Sequence, residues 1–151
     1  MKRFLFIAIA SWSFLTGDAQ CGIENTAFKS GEFVSYDLYF NWKFVWMKVG
    51  TATMSTVQST FNGTPAFRTS LITRGNHKLD KYFVMRDTLL CYTDMNLSPL
   101  YFRKGAREGK RYYVDELWYT YPKGNSHLKM HRIEDDGSVN WKEAEYKDCI
   151  Y

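Results

Sequence analysis

This sequence lacks the short motifs by which enzymes and metal sites are usually recognised. No serine stands in a Gly-x-Ser-x-Gly elbow, so a hydrolase triad has no anchor. Its three cysteines, Cys21, Cys91 and Cys149, are too far apart for the short C-x-x-C spacing of a zinc site. Linkers, low-complexity tracts and internal repeats are also missing. We therefore expect a single non-enzymatic domain without a metal ion or other cofactor.

A strong surplus of one charge is missing too. The chain has 20 Lys and Arg against 16 Asp and Glu, a net charge of +4, which is too mild to imply nucleic acid. Hydrophobic residues make up 45% of the chain and aromatic residues 18%, enough to build one core in a chain of one-domain size.

The long uncharged, apolar run of the sequence lies at its N terminus. Lys2 and Arg3 precede the apolar residues 4–15, and the small residues around Ala19 follow, the usual order of a secretory signal. The run is too short to span a bilayer. We predict that residues 1–19 are a cleaved signal peptide and that residues 20–151 form one β domain in the periplasm or cell envelope, not transmembrane after cleavage.

Cys21 raises an alternative, in which it becomes a lipid-anchored N terminus. The residues before it depart from the bacterial lipoprotein pattern, which has a Leu-like residue three positions before the cysteine and a small residue directly before it, so we favour simple cleavage. Export would expose the three cysteines to an oxidising compartment. Two interpretations remain open: the cysteines form one disulfide with one cysteine left over, or they serve as small buried hydrophobic residues. The sequence assigns no pairing.

The segment 31–55 gives the clearest structural signal. Val34, Tyr36, Leu38 and Phe40 are two residues apart, which places them on one face of a β-strand. A second alternation follows, and its apolar phase slips at Gly50, which predicts a β-bulge or kink there.

Turn signals divide the rest of the chain. Asn62-Gly63 predicts a hairpin, and the segments 107–110, 122–125 and 135–138 predict further turns. The segment 76–82 predicts a short helical turn or a loop, with Asn76 as a candidate cap. Pro99 predicts that 97–103 is an edge strand or a strand that begins just after the proline. Eight or so strands joined in order predict an all-β fold, an antiparallel meander that forms a curved sheet or open β-barrel.

Three groups of titratable residues are candidates for a metal or catalytic site. His127 and His131 would share a metal on a helix, but on a strand they are roughly 13 Å apart, so we interpret both as surface histidines. Asp115 and Glu116 are adjacent and should point to opposite faces of a strand, which argues against a carboxylate pair. Asp135 and Asp136 fit a turn.

Two sets of residues remain as binding candidates. One hypothesis is that some of the many aromatic residues line an apolar cleft, whereas the default interpretation is that they fill the core. A second is that a basic hairpin binds lipid phosphate, anionic polysaccharide or an acidic partner, although a solvated hairpin is the simpler interpretation. The aromatic candidates for ligand binding are Tyr36, Trp42, Trp46, Tyr112 and Trp118, and the basic patch consists of Arg103, Lys104, Arg107, Lys110 and Arg111.

Several stretches together resemble a known family. They are Cys21, Glu24 to Phe28, Gly31-Glu32, Tyr36 to Phe40, Trp42, Trp46, Lys48, Gly50, Met85 to Leu89, Pro99 and Tyr101 to Lys104. With the signal peptide, they resemble the exported Bacteroidetes family called domain of unknown function thirty-one-oh-eight, over nearly all of the mature chain. The resemblance implies an antiparallel β fold of the cell envelope, similar to periplasmic lipoprotein-carrier and capsule-export lipoprotein folds. It implies no known activity and no catalytic residues.

Family members continue beyond the equivalent of Tyr151, so we expect the domain to be incomplete at its C terminus. The leading functional hypothesis is a non-enzymatic envelope protein whose curved sheet binds an apolar or amphiphilic, lipid-like ligand. The alternative is an interaction or assembly module for envelope or polysaccharide export, with an envelope protein as its partner.

Overall fold

The computed structural model of the protein describes residues 25–147, so the predicted signal peptide, Cys21 and Cys149 lie outside the described residues. The fold consists of eight strands with two short 3-10 turns, His77–Leu79 and Pro122–Gly124. The strands are β1 (Glu32–Trp42), β2 (Val45–Phe61), β3 (Thr64–Gly75), β4 (Met85–Thr93), β5 (Pro99–Glu108), β6 (Arg111–Thr120), β7 (Ser126–Ile133) and β8 (Val139–Tyr146).

All eight strands belong to one antiparallel sheet in which each strand pairs with its neighbours in the sequence. The order β1 to β8 is therefore a plain meander, and β1 and β8 are its two edges within the described chain. The all-β, antiparallel prediction is confirmed, and the sheet does not close into a barrel.

The strand register defines two faces, because residues paired across antiparallel strands share a face. The front face carries the cross-strand row that begins with Val34, Met54, Leu71 and Leu89. The back face carries the row one residue along, which begins with Phe33 and Ser55. Both faces bury side chains, the front face chiefly Ala52, Phe67, Ala106 and Leu128, and the back face Ala66 and Val114.

The predicted Asn62-Gly63 hairpin is confirmed. Asn62 (φ 48°) and Gly63 (φ 82°) both have a left-handed backbone, and they connect Phe61 directly to Thr64. Two consecutive residues with positive φ are the geometry of a type I′ turn, which matches the twist of the strands it connects.

The predicted bulge at Gly50 is also confirmed. Leu38 pairs with Gly50 whereas Tyr39 pairs with Lys48, so Val49 is an extra residue in β2. A Cβ added to Gly50 would lie 2.4 Å from the carbonyl oxygen of Arg74. Glycine is therefore required where β2 and β3 approach most closely.

One alternative for Pro99 is corrected. Strand β5 begins at Pro99 and lies between β4 and β6, so it is an interior strand and not an edge strand. Proline is tolerated there because it is the first residue of the strand, where the missing N–H interrupts little of the ladder.

Candidate functional site

A large apolar cavity lies at one end of the sheet, on the front face. It is formed where the β1–β2 hairpin and the β3–β4 connection meet, and its volume is about 560 Å³. That size falls within the roughly 300–1,000 Å³ of ligand pockets. We call it the end pocket, and it is lined by Phe40, Met47, Val49, Gly75, Leu79, Tyr82, Phe83 and Met85.

The bulge in β2 helps to build this pocket. The carbonyl oxygen of Val49, the extra residue, accepts a hydrogen bond from the N–H of Asn76 at 2.7 Å, which ties the β3–β4 connection to β2. The Asn76 side chain in turn accepts from the N–H of Lys78 at 3.1 Å, so the predicted cap is confirmed on a turn that spans only His77–Leu79.

The second wall of the pocket is held by the β3–β4 connection itself. The N–H of Phe83 donates to the carbonyl oxygen of Leu79 at 3.0 Å, and the N–H of Gly109 donates to Val84 at 2.7 Å. A Cβ at Gly109 would lie 3.4 Å from the Phe83 ring. Backbone bonds therefore fix Leu79 and Phe83 against the sheet.

Large apolar side chains around the pocket are unusually exposed. The exposed fraction is 55% for Phe40, 76% for Tyr82 and 55% for Phe83, and 98% for Phe44 at the tip of the β1–β2 hairpin. Single exposed hydrophobic residues are ordinary, but a contiguous apolar surface marks a binding site in most soluble proteins.

A polar row of the front face begins next to the end pocket. Asp87 lies two residues after Met85 on β4 and thus on the same face. One of its carboxylate oxygens, Oδ2, accepts from the Thr73 hydroxyl at 3.3 Å, while Oδ1 is buried with no hydrogen-bond partner among the described residues. Burial, and then the charge of Glu108, raises the pKa of Asp87.

A bonded cluster of polar side chains lies on the same face, on β5 and β6. The Lys104 ammonium donates to the Tyr113 hydroxyl at 2.7 Å and to Glu108 at 3.0 Å. These two hydrogen bonds, first the one to Tyr113 and then the one to Glu108, raise the pKa of Lys104, so it remains a fixed positive charge.

The back face carries a ladder of aromatic rings across the sheet. Neighbouring ring centroids are 5.1 to 6.3 Å apart, within the range of favourable aromatic pairs. Because several of these rings stack on each other, much of their area is used in mutual contact. The ladder consists of Phe61, Tyr92, Tyr101, Trp118 and Trp141.

A Tyr-Glu-His cluster lies along this ladder. Tyr101 donates its hydroxyl hydrogen to Glu116 Oε1, and His131 Nδ1 is 3.0 Å from Glu116 Oε2. Burial opposes ionisation of Glu116, but the bonds from Tyr101 and His131 outweigh it and lower its pKa. Both carboxylate oxygens thus have a partner, which makes the cluster a bonded structural network.

This cluster corrects the interpretation of His131 as a surface histidine. Its side chain is only 13% exposed, and its ring stacks on Trp141 with centroids 4.3 Å apart. The cross-strand neighbour Glu116 provides the partner that makes burial favourable. The strand placement of His127 and His131 is confirmed, as is the placement of Asp115 and Glu116 on opposite faces.

A second front-face cavity, of about 520 Å³, has several charged side chains in its wall beside Phe102, Leu117 and Met130. Its wall includes Arg132, which donates to both carboxylate oxygens of Asp115, at 2.6 and 2.8 Å. This paired geometry satisfies the charges within the protein. The wall of the end pocket, by contrast, is almost entirely apolar.

Comparison with known families gives one match. A family model described as "Protein of unknown function (DUF3108)" matches residues 35–150. The chain belongs to this family. The curated proteins and the solved structures yield no match. The match to DUF3108 includes every residue that lines the end pocket.

The five aromatic residues selected from the sequence do not converge in this DUF3108 protein. Tyr36 lies on the front face, paired with Ala52, in the row next to the end pocket. Trp46, Tyr112 and Trp118 are on the back face, and only Trp118 belongs to the ladder. Trp42 ends β1.

The five basic residues do not form one patch either. Arg103 and Arg107 lie on the back face, whereas Lys104 and Arg111 lie on the front face and Lys110 is in the turn. Three of them face acids, and the pairs are Arg103 with Glu116 (3.7 Å), Lys104 with Glu108 (3.0 Å) and Arg111 with Glu134 (3.6 Å).

Two negative findings apply to residues 25–147 alone. No group of His, Cys, Asp and Glu in that range has the arrangement of a metal site. No helix there has the length and apolar character needed to cross a membrane.

Proposed function

We propose that this DUF3108 protein binds an apolar or amphiphilic, lipid-like ligand in the end pocket. The observation that carries the proposal is the pocket lining, in which the Tyr82 hydroxyl is the one polar side-chain group. Burial of apolar ligand surface against such a wall contributes about 25 cal/mol per Å².

The surroundings of the pocket support an amphiphile rather than a plain hydrocarbon. Asp87 and Thr73 lie one row along the front face, and the Asp87 Oδ1 atom has no hydrogen-bond partner among residues 25–147. The ionised Asp87 carboxylate can accept a hydrogen bond at Oδ1 from a donor on a ligand head group, and such a bond would offset the cost of burying its charge.

The protein acts without catalysis in this proposal. The Tyr101, Glu116 and His131 side chains are bonded to each other, and Glu116 has both oxygens engaged. We further propose, from the N-terminal residues, that the protein is exported to the periplasm or cell envelope, where it would carry or sense its ligand.

A second function is supported by the open edges of the sheet. Within residues 25–147, strand β1 has a partner strand on one side alone, and Phe33 and Tyr39 on it are 66% and 54% exposed. An unpaired strand can accept a strand from another protein. This supports the alternative of an envelope or polysaccharide-export assembly module.

Native mass spectrometry with lipid extraction separates the two proposals. The full-length protein is purified from its own host and measured in its native state. A reproducible bound lipid is the expected result. A bare mass, or a mass that corresponds to a protein complex without lipid, would overturn the ligand-binding proposal and favour the assembly module.

A further inference from the structure

Positive charge is concentrated in three of the four strand connections at the end of the sheet that holds the end pocket. Segments 39–48, 74–87 and 107–112 contain nine Lys and Arg against three Asp and Glu. The rest of residues 25–147 contains nine Lys and Arg against ten Asp and Glu. The excess of cations is therefore local, and the mild net charge of the chain conceals it.

Exposed aromatic rings lie among these cations. Phe44 and Trp46, which are 98% and 69% exposed, belong to the β1–β2 hairpin, and Tyr82, which is 76% exposed, belongs to the β3–β4 connection. The Lys81 ammonium lies 4.7 Å from the centre of the Tyr82 ring, so cation and ring are presented to solvent together.

We propose that this end of the sheet docks onto the surface of an anionic lipid bilayer. Trp and other aromatic side chains favour the headgroup region, where an apolar ring and a polar environment coexist. Lysines near an anionic leaflet are attracted to its surface potential and keep their charged heads in water. Phe44 and Trp46 enter the headgroup region, and Lys78 and Lys81 face the lipid phosphates.

Acidic residues limit the part of this end of the sheet that can contact an anionic bilayer. Asp80 binds Arg86, and Asp37 binds Lys48 at 2.6 Å, which offsets those two cations. The β7–β8 turn at the same end of the sheet carries Glu134, Asp135 and Asp136. An anionic surface would repel that turn, so the docking surface consists of the β1–β2 hairpin and the β3–β4 connection.

A bilayer explains these observations better than an acidic protein does. The exposed rings belong to two separate connections, and long lysine side chains are interspersed with them. Docking would also place the mouth of the end pocket at the lipid surface, so this inference deepens the proposed function and partly rests on it. The two are tested by different readouts.

Co-sedimentation with vesicles tests the docking. The full-length protein is mixed at low salt with phosphatidylcholine vesicles that contain about a third phosphatidylglycerol, and with pure phosphatidylcholine vesicles. We expect binding to the anionic vesicles alone, weakened by added salt. Lys78→Glu with Lys81→Glu should weaken it by about 30-fold, and Phe44→Ser with Trp46→Ser by a similar factor.

The matched control reverses two lysines at the opposite end of the sheet, Lys123→Glu with Lys147→Glu, and should retain binding. Equal losses in the control, equal binding to both vesicle types, or no binding by the wild-type protein would overturn the docking proposal. An acidic protein partner that depends on Lys78 and Lys81 while vesicles do not bind would also overturn it. Lys78→Glu with Lys81→Glu should still bind an apolar dye in the end pocket, so failure of docking and failure of the pocket are distinguishable.

Discussion

Replacing Gly50 by alanine tests whether the bulge in β2 positions the pocket. The new Cβ would be 2.4 Å from the Arg74 carbonyl oxygen, and real Cβ contacts are essentially never below 3.0 Å. Since Arg74 O belongs to the backbone of β3, the two strands must move apart by more than half an ångström. Overpacking of this kind costs about 3 kcal/mol, the upper part of its usual range.

Gly105→Ala is the matched control for this prediction. Gly105 is also an interior strand residue, but its added Cβ meets the flexible end of Arg103, at 3.2 Å from Nη1. Alanine there should change the free energy of unfolding by less than about 1 kcal/mol, because the side chain can move aside.

Urea unfolding of the three proteins, followed by circular dichroism, measures the difference. Gly50→Ala should lower the midpoint strongly and Gly105→Ala little. Because Val49 binds Asn76 through its carbonyl oxygen, Gly50→Ala should also weaken ligand binding in the end pocket. Similar stabilities for the two variants would refute the claim that the close approach at Gly50 shapes this end of the sheet.

Two further predictions concern the front and back faces. Asp87→Asn should raise the free energy of unfolding at neutral pH, because the folded-state pKa of Asp87 lies above its usual 3.8 and its charge therefore opposes folding. That gain should disappear as the pH falls below the usual pKa of an aspartate. The pKa of Asp136 is lowered by bonds from Ser138, so Asp136→Asn should destabilise the protein at neutral pH and lose its effect in acid. Unfolding curves at several pH values check the signs, and a pH-independent effect of Asp87→Asn contradicts the argument. Trp118→Ala should lower the free energy of unfolding by about 2–3 kcal/mol, because the contacts with Tyr101 and Trp141 are lost, yet leave binding in the end pocket unchanged. A loss of ligand binding without a loss of stability would show that the ladder is itself the site.

Much of the fold could be predicted because its signals are local. The period-two alternation, the Asn62-Gly63 turn and the phase slip at Gly50 each depend on a few consecutive residues, and the structure confirms all three. In a plain meander, each local hairpin also fixes the next strand pairing, so the topology needs no long-range information.

The candidate site was not predictable in the same way. Tyr101, Glu116 and His131 are separated by 15 residues at each step, and only the register of three strands brings them together. The end pocket likewise combines the β1–β2 hairpin with the β3–β4 connection. Met47, Tyr82, Phe83 and Met85 were missed because nothing in the local sequence shows that these segments meet.

The split of the basic patch, however, was available from the sequence. Adjacent strand residues point to opposite faces, the argument that separates Asp115 from Glu116. The same argument separates Arg103 from Lys104, as the structure finds. A hairpin rich in basic residues therefore need not form a basic surface.

The most direct test of ligand binding in the end pocket is a fluorescence titration with the neutral apolar dye N-phenylnaphthylamine. Met47 lines the pocket and is 42% exposed, so Met47→Glu should fold while its carboxylate enters an apolar wall. Val57→Glu is the matched control, because Val57 is 36% exposed on the same strand and far from the pocket. Saturable dye binding by the wild-type protein and the Val57 variant, weakened about 10-fold or more in Met47→Glu, is the predicted result. An equal response of both variants, or no saturable binding by the wild-type protein, would contradict the account.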